Sequence, residues 1–298
     1  MNINLSGMST ESRNANTMNL DTMSPLEIVT AMNEEDAKIA QAIQPALPDI
    51  AQCVIWAVEA IQAGGRIIYT GAGTSGRLGV LDALECPPTF GVAPEVVVGL
   101  VAGGSQSFLL PIESAEDSPA LGREDLENLH LESRDIVIGI AASGRTPYVL
   151  GGLQYAKELG CHTVAISCNQ GSPIGKAAEL AIEVVPGPEV VTGSTRLKAG
   201  TCQKLILNMI STAAMVRCGK VYQNLMVDVM PTNEKLVVRA ENIVMEATGC
   251  DRDTARDAMA RSGDSAKVAI TMILADCGPE EARTRLEQAD GHVRLAIR

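Results

Sequence analysis

The chain has 298 residues and a formal net charge of −12, so it lacks the basic excess of a nucleic-acid-binding face. Hydrophobic residues make up 46% and charged residues 20%, which fits a globular protein with a substantial core and room for one large or two ordinary domains. Aromatics are only 2%, which argues against a stacking platform for bare sugar rings or bases and for polar recognition.

Residues 1 to about 23 are rich in Asn, Ser, Thr and Met and read as an irregular arm. Met1 to Asn19 carries neither a basic n-region nor an apolar h-region, so no signal peptide is evident. No apolar stretch is long enough to span a bilayer. A cytoplasmic protein with no membrane partner is expected. The eight cysteines, none in a CxxC pair, read as reduced thiols in keeping with that compartment.

Ser24-Pro25 opens a helix, with Ser as N-cap and Pro in the first turn. Helical periodicity continues, with interruptions at Pro45 and Pro48, to about Gln62, and Gly64-Gly65 ends it. Five short apolar runs follow: 66–70 (RIIYT), 96–102 (VVVGLVA), 136–142 (IVIGIAA), 163–167 (TVAIS) and 181–185 (AIEVV). Runs this short and this apolar suit strands covered on both faces, hence a parallel sheet. Helical stretches such as 147–159 lie between them. The alternation predicts an α/β, doubly wound, five-stranded parallel sheet flanked by helices, with ligands at the carboxyl ends of the strands.

After about Lys220 no strand-like run appears. Residues 233–247 read as a helix, and three or four short helices follow, cut by Gly249, Gly263, Gly278 and Gly291. A small all-helical C-terminal module is expected. The resulting partition is an arm with helices (1–55), a central α/β domain (56–220) and a helical C-terminal region (221–298).

The first strand runs into Gly71-Ala72-Gly73-Thr74-Ser75-Gly76, formally a GxGxxG turn. A dinucleotide site also wants an acid at the end of the second strand. Here that strand ends in Ala102-Gly103-Gly104-Ser105, and Glu95 lies at its other end. The hydroxyls of Thr74 and Ser75 beside a helix N-terminus suit a phosphate monoester instead. The third strand ends in Ser143-Gly144-Arg145-Thr146-Pro147, again a hydroxyl-rich loop before a helix. A third such segment, 192–198, follows the last strand. One such loop is an ordinary turn; three at corresponding strand ends are harder to dismiss. No P-loop, GxSxG elbow or HExxH occurs, and His130, His162 and His292 lack metal spacing.

These loops carry a resemblance. Residues 71–77 (GAGTSGR), 85–89 (ECPPT), 142–148 (ASGRTPY) and 193–201 (GSTRLKAGT) resemble the N-acetylmuramic acid 6-phosphate etherase family. So do Val227-Asp228, Thr232-Asn233-Glu234-Lys235-Leu236, and Thr10-Glu11 with Asn14. The resemblance covers nearly the whole chain after Thr10. It implies a sugar isomerase (SIS) type domain, a homodimer whose sites take residues from both subunits, a sugar-phosphate substrate, and no metal or organic cofactor. The implied reaction is elimination of D-lactate from N-acetylmuramic acid 6-phosphate and rehydration to N-acetylglucosamine 6-phosphate, in recycling of peptidoglycan fragments.

By the family pattern Glu85 is the acid and Glu116 the base. From the residues alone Glu116 is one of three acids in 113–117, and Glu113 or Asp117 would serve as well. The pattern places the phosphate among Gly73, Thr74, Ser75, Ser143, Gly144 and Thr146, with Ser194 and Thr195 as further candidates. Arg145, Arg196 and Lys198 are charge partners of the phosphate or the lactyl carboxylate, although Arg196 and Lys198 serve equally well as structural ion pairs. Two other functions remain open on an SIS fold: a non-catalytic sugar-phosphate-sensing regulator, which needs no acid–base pair, and an aldose–ketose isomerase.

Overall fold

A computed structural model describes residues 9–108, 113–230 and 234–298. The arm begins as three single 3-10 turns, Ser9–Glu11, Ala15–Thr17 and Leu20–Thr22. It is better tied down than its composition suggests. Thr10, Asn14 and Thr17 are buried. Asn14 donates to the Pro188 carbonyl (3.2 Å) and Thr17 to the Val190 carbonyl (2.9 Å). Three helices follow: α1 (Pro25–Asp36), α2 (Ile39–Ile43) and α3 (Leu47–Gln62). The start of α1 is a full capping box between Ser24 and Glu27, with Pro25 in the first turn.

Strands and helices then alternate: β1 (Ile67–Gly71), α4 (Gly73–Phe90), β2 (Val97–Val101), α5 (Glu113–Glu116), α6 (Pro119–Asn128), β3 (Ile136–Ala141), α7 (Pro147–Glu158), β4 (His162–Ser167), α8 (Pro173–Ala177), β5 (Leu180–Glu183) and α9 (Lys198–Arg217). The five strands form one parallel sheet in the order β2-β1-β3-β4-β5. All five lie within a residue or two of the apolar runs, because both faces are covered. Ile68, Val137 and Ala165 join Tyr148, Val149 and Leu153 of α7 in one buried cluster. The alternate residues Ile67, Tyr69, Ile136, Ile138, Val164 and Ile166 are equally buried, and α4 lies on that face: a Cβ on Gly79 would stand 2.8 Å from Tyr69 Cβ. With a strand period of two, covering both faces favours apolar residues at consecutive positions, and the polar Thr70, Thr163 and Ser167 of these strands are themselves buried.

The chain divides into two compact units, Met1–Leu84 with Glu95–Ser211, and Glu85–Pro94 with Thr212–Arg298. The second unit holds β6 (Val221–Tyr222), β7 (Leu225–Met226), α10 (Glu234–Thr248), α11 (Arg252–Ser262), α12 (Ala266–Ala275), α13 (Pro279–Gln288) and α14 (Val293–Ala296). The C-terminal region is helical, as expected, and the antiparallel β6–β7 pair adds a short ladder at its start. Each strand is two residues long and so carries no periodic signal. The turn between them places Gln223 at φ 55°, a conformation usually marked by Gly or Asn. The helices pack around Ala240, Val244, Ala255, Ala269 and Ile270. Asp228 of the Val227-Asp228 motif takes a hydrogen bond from the buried Lys267 and faces Lys220 at 3.4 Å. Thr232 and Asn233 lie outside the described residues.

Candidate active site

In strand order β2-β1-β3-β4-β5 the direction of winding reverses between β1 and β3, and ligands of open α/β sheets bind at the carboxyl ends of the strands at that reversal. The first two hydroxyl loops leave those two strands. The first turns directly into α4, where Gly76 packs so closely that a Cβ on it would stand 2.4 Å from the Gly71 carbonyl oxygen. Gly73 is exposed, Thr74 half-buried and Ser75 buried. The first turn of α4 leaves its backbone N–H groups without upstream acceptors in the helix, which favours an anion there.

The second loop holds Gly144 at φ +71°, where a Cβ would also collide with Ser172 Cβ at 2.3 Å. Ser143 Oγ accepts from Arg145 N at 3.2 Å. Asn169 Nδ2 braces the loop from behind through the carbonyls of Ala142 (3.1 Å) and Ser143 (3.4 Å), and also donates to Thr10 Oγ1 of the arm (3.1 Å). Thr146 is the N-cap of α7, yet its side chain caps nothing. Its hydroxyl donates to Glu116 Oε1 at 3.1 Å. Among the described side chains of the 113–117 cluster, Glu116 is the acid hydrogen-bonded to this loop. Glu116 is otherwise exposed, and Glu85 is exposed on the later turns of α4, in the second unit.

The third loop is built differently. Glu189 is buried and accepts from Lys198 N and Ala199 N, both at 2.9 Å, so a carboxylate of the chain itself occupies the start of α9. Burial pushes the Glu189 carboxyl above its ordinary range, against those two bonds and the charge of Lys198. Lys198 is buried and its Nζ meets Glu35 Oε2 at 2.6 Å. Burial opposes ionisation of Glu35, but hydrogen bonds from Lys198, Lys38 and Asn16 outweigh it and hold the carboxyl at about 2. Of the two roles open to Lys198, the structure displays the structural ion pair. Arg196 is exposed, and Ser194 and Thr195 are half-buried. The start of α9 adjoins the first loop, since a Cβ on Gly200 would lie 3.5 Å from both Thr195 O and Thr74 Cγ2.

Four residues at this site carry no sequence signal of their own: Glu35, Asn169, Glu189 and Gln203. Gln203 is buried on α9 and accepts the Ser75 hydroxyl proton at 2.9 Å. Arg77 Nε donates to the Ser107 carbonyl at 3.2 Å, tying α4 to the segment after β2.

The sheet order and the placement of these loops define an SIS-domain protein. The SIS domain family matches residues 117–214, and the glucokinase regulatory protein N-terminal SIS domain matches residues 49–157. A phosphoheptose isomerase from Neisseria gonorrhoeae superposes with a TM-score of 0.51 at 18% identity, covering 64% of this chain and 98% of its own, a likeness of fold. The chain belongs to the N-acetylmuramic acid 6-phosphate etherase family. It is 58% identical over 296 residues to the N-acetylmuramic acid 6-phosphate etherase of Pectobacterium atrosepticum, covering 99% of this chain and 98% of that one. It is likewise 58% identical over 293 residues to the protein of the same name from Exiguobacterium sp., covering 98% of this chain and 100% of that one. No helix among the described residues is long and apolar enough to cross a membrane.

Proposed function

We propose that this chain is a carbon–oxygen lyase that releases D-lactate from N-acetylmuramic acid 6-phosphate and leaves N-acetylglucosamine 6-phosphate. The observation that carries the reading is the Thr146–Glu116 hydrogen bond, which attaches a carboxylate to a phosphate-type loop at the winding reversal of the sheet. A sensor of sugar phosphates needs the loop but not the carboxylate. The names of relatives at 58% identity support the same substrate.

The chemistry explains why two carboxyl groups are wanted. An alkoxide is too basic to leave a simple ether unaided. Opening of the sugar ring exposes an aldehyde at C1 and acidifies the proton on C2. Glu116 takes that proton, the C3–O bond breaks, and Glu85 supplies the proton that the departing lactate oxygen needs. The product is an α,β-unsaturated aldehyde. Glu85, now ionised, draws a proton from water as it adds at C3, and Glu116 returns its proton to C2. One group must begin ionised and the other protonated, the usual division of general acid–base catalysis. In this reading Gly73, Thr74, Ser75, Ser143 and Gly144 receive the phosphate. Arg145 and Arg196 supply positive charge, and Ser194 and Thr195 line the approach. The functional form is a cytoplasmic homodimer in which each site takes residues from both subunits.

Incubation of the purified protein with N-acetylmuramic acid 6-phosphate should release D-lactate and N-acetylglucosamine 6-phosphate in equal amounts. Binding without lactate release would replace the reading with that of a regulator. Interconversion of an aldose and a ketose phosphate would replace it with that of an isomerase.

A further inference from the structure

We propose that Gln203 is a positioning residue for phosphate recognition and acts through Ser75; this rests on the reading of the first loop as a phosphate site. Phosphate oxygens at neutral pH are acceptors, so a serine that binds them must donate its hydroxyl proton. In the structure that proton is committed elsewhere: Ser75 Oγ donates to Gln203 Oε1 at 2.9 Å. The serine then presents only lone pairs to an incoming anion.

The other half of the same amide resolves the conflict. Gln203 is 1% exposed, and its Nε2 is a buried donor with no hydrogen-bond partner among the described residues. Half a turn about the last side-chain torsion exchanges the amide oxygen and nitrogen, and that torsion is broad and roughly two-fold. Nε2 then donates to Ser75 Oγ, and the serine hydroxyl is released to the phosphate. The structure captures the arrangement in which the amide holds the serine proton; phosphate selects the other. An amide can serve both arrangements because it carries an acceptor and a donor on one rotor. Gln203 is also well placed: it lies about one turn after Gly200, where an added Cβ would stand 3.5 Å from Thr74 Cγ2 of the same loop, so this part of α9 runs close to the loop that carries Ser75.

Four variants test this: Ser75→Ala, Gln203→Met, Gln203→Glu and the double variant Ser75→Ala/Gln203→Met. The readouts are KM and kcat for N-acetylmuramic acid 6-phosphate, inhibition by inorganic phosphate, and the thermal midpoint. Ser75→Ala should raise KM roughly ten- to hundredfold, the worth of one hydrogen bond to a charged group, with kcat little changed because the lost binding is uniform. Gln203→Met removes the amide that orients the Ser75 hydroxyl but also the acceptor that competes for its proton, so it should raise KM only several-fold, less than Ser75→Ala, with phosphate inhibition weakened in parallel. Gln203→Glu keeps an acceptor that holds the Ser75 proton and cannot donate in return, so it should raise KM more than Gln203→Met, toward the value of Ser75→Ala. The double variant should be no worse than Ser75→Ala, because Gln203 acts only through the Ser75 hydroxyl and has nothing to position once that hydroxyl is gone. Multiplying effects in the double variant, or a normal KM in either Gln203 variant, would overturn the role of Gln203 and leave the phosphate loop standing. A normal KM in Ser75→Ala would overturn the loop assignment and this inference with it. If Gln203→Met lowers the thermal midpoint, the same comparison is made with the near-isosteric Gln203→Glu.

Discussion

Thr146 donates its hydroxyl proton to Glu116 across 3.1 Å, although it stands at the N-cap of α7 where a threonine ordinarily accepts from the helix backbone. Capping would have used the oxygen lone pairs; binding Glu116 uses the proton. The same proton cannot serve a phosphate while it holds the carboxylate. Thr146→Val should therefore reduce kcat about tenfold or more with little change in KM, and Thr146→Ser should restore most of the loss. A phosphate ligand would show the opposite split, KM raised and kcat kept, and steady-state kinetics on the two variants separate the cases.

Lys198 and Glu35 form a buried ion pair separated by 163 positions in sequence. Removing one partner strands the other's charge away from water, so Lys198→Met and Glu35→Gln should each destabilise the protein by roughly 3–5 kcal/mol at neutral pH. The pH dependence has a defined sign. Glu35 is held at about 2 against an ordinary 4.5, so the folded state releases its proton more readily than the unfolded one. Its contribution is full above 4.5 and is lost as pH falls toward 2. The stability gap between the parent and Glu35→Gln, followed by urea denaturation, should narrow across that window. A constant gap would separate the effect from ionisation of Glu35.

Asp82 is buried on α4, and its Oδ1 accepts from Asn208 (2.8 Å) and Ser211 (3.1 Å) of α9. Burial raises its carboxyl pKa, opposed by those bonds, by Tyr69 and by the charge of Lys204. A carboxyl raised in the folded state binds its proton more tightly there, so its contribution declines as pH rises through the unfolded and then the folded value. Asp82→Asn keeps an acceptor oxygen for both partners and removes the buried charge. It should stabilise the protein at pH 7, with the advantage vanishing in acid. Loss of stability at pH 7 would mean that the charge itself holds α4 to α9.

What was legible in the sequence follows from how locally each feature is determined. The strands of the sheet could be placed because two covered faces force unbroken apolar runs, and Ser75 and Ser143 because their loops leave such strands. Residues defined by distant partners were opaque. Lys198 sits in a hydroxyl-rich loop and reads equally well as an anion ligand or as half of an ion pair, and its partner Glu35 lies 163 positions away. Ser75 gives no hint of Gln203, 128 positions away. The arm looked irregular because its order comes from Asn14 and Thr17 reaching carbonyls near residue 190, not from any local periodicity. Choosing Glu116 over Asp117 needed either the family pattern or the hydroxyl of Thr146.

The division of labour between Glu116 and Glu85 can be read by isotope exchange, because the proposed steps are separable. Deprotonation at C2 precedes departure of lactate, and solvent deuterium enters C2 whenever the carbanion or the unsaturated aldehyde returns to substrate. Glu116→Gln removes the base, so it should abolish both lactate release and exchange at C2. Glu85→Gln removes only the proton that lactate needs. It should block lactate release by several orders of magnitude, since an alkoxide must then leave unaided, while C2 of the intact substrate still exchanges. Both amides are near-isosteric, and both glutamates are exposed, so neither change should unfold the chain. Mass spectrometry of recovered substrate after incubation in deuterium oxide gives the answer directly. Exchange that survives in Glu116→Gln and disappears in Glu85→Gln would reverse the two roles while leaving the reaction itself in place.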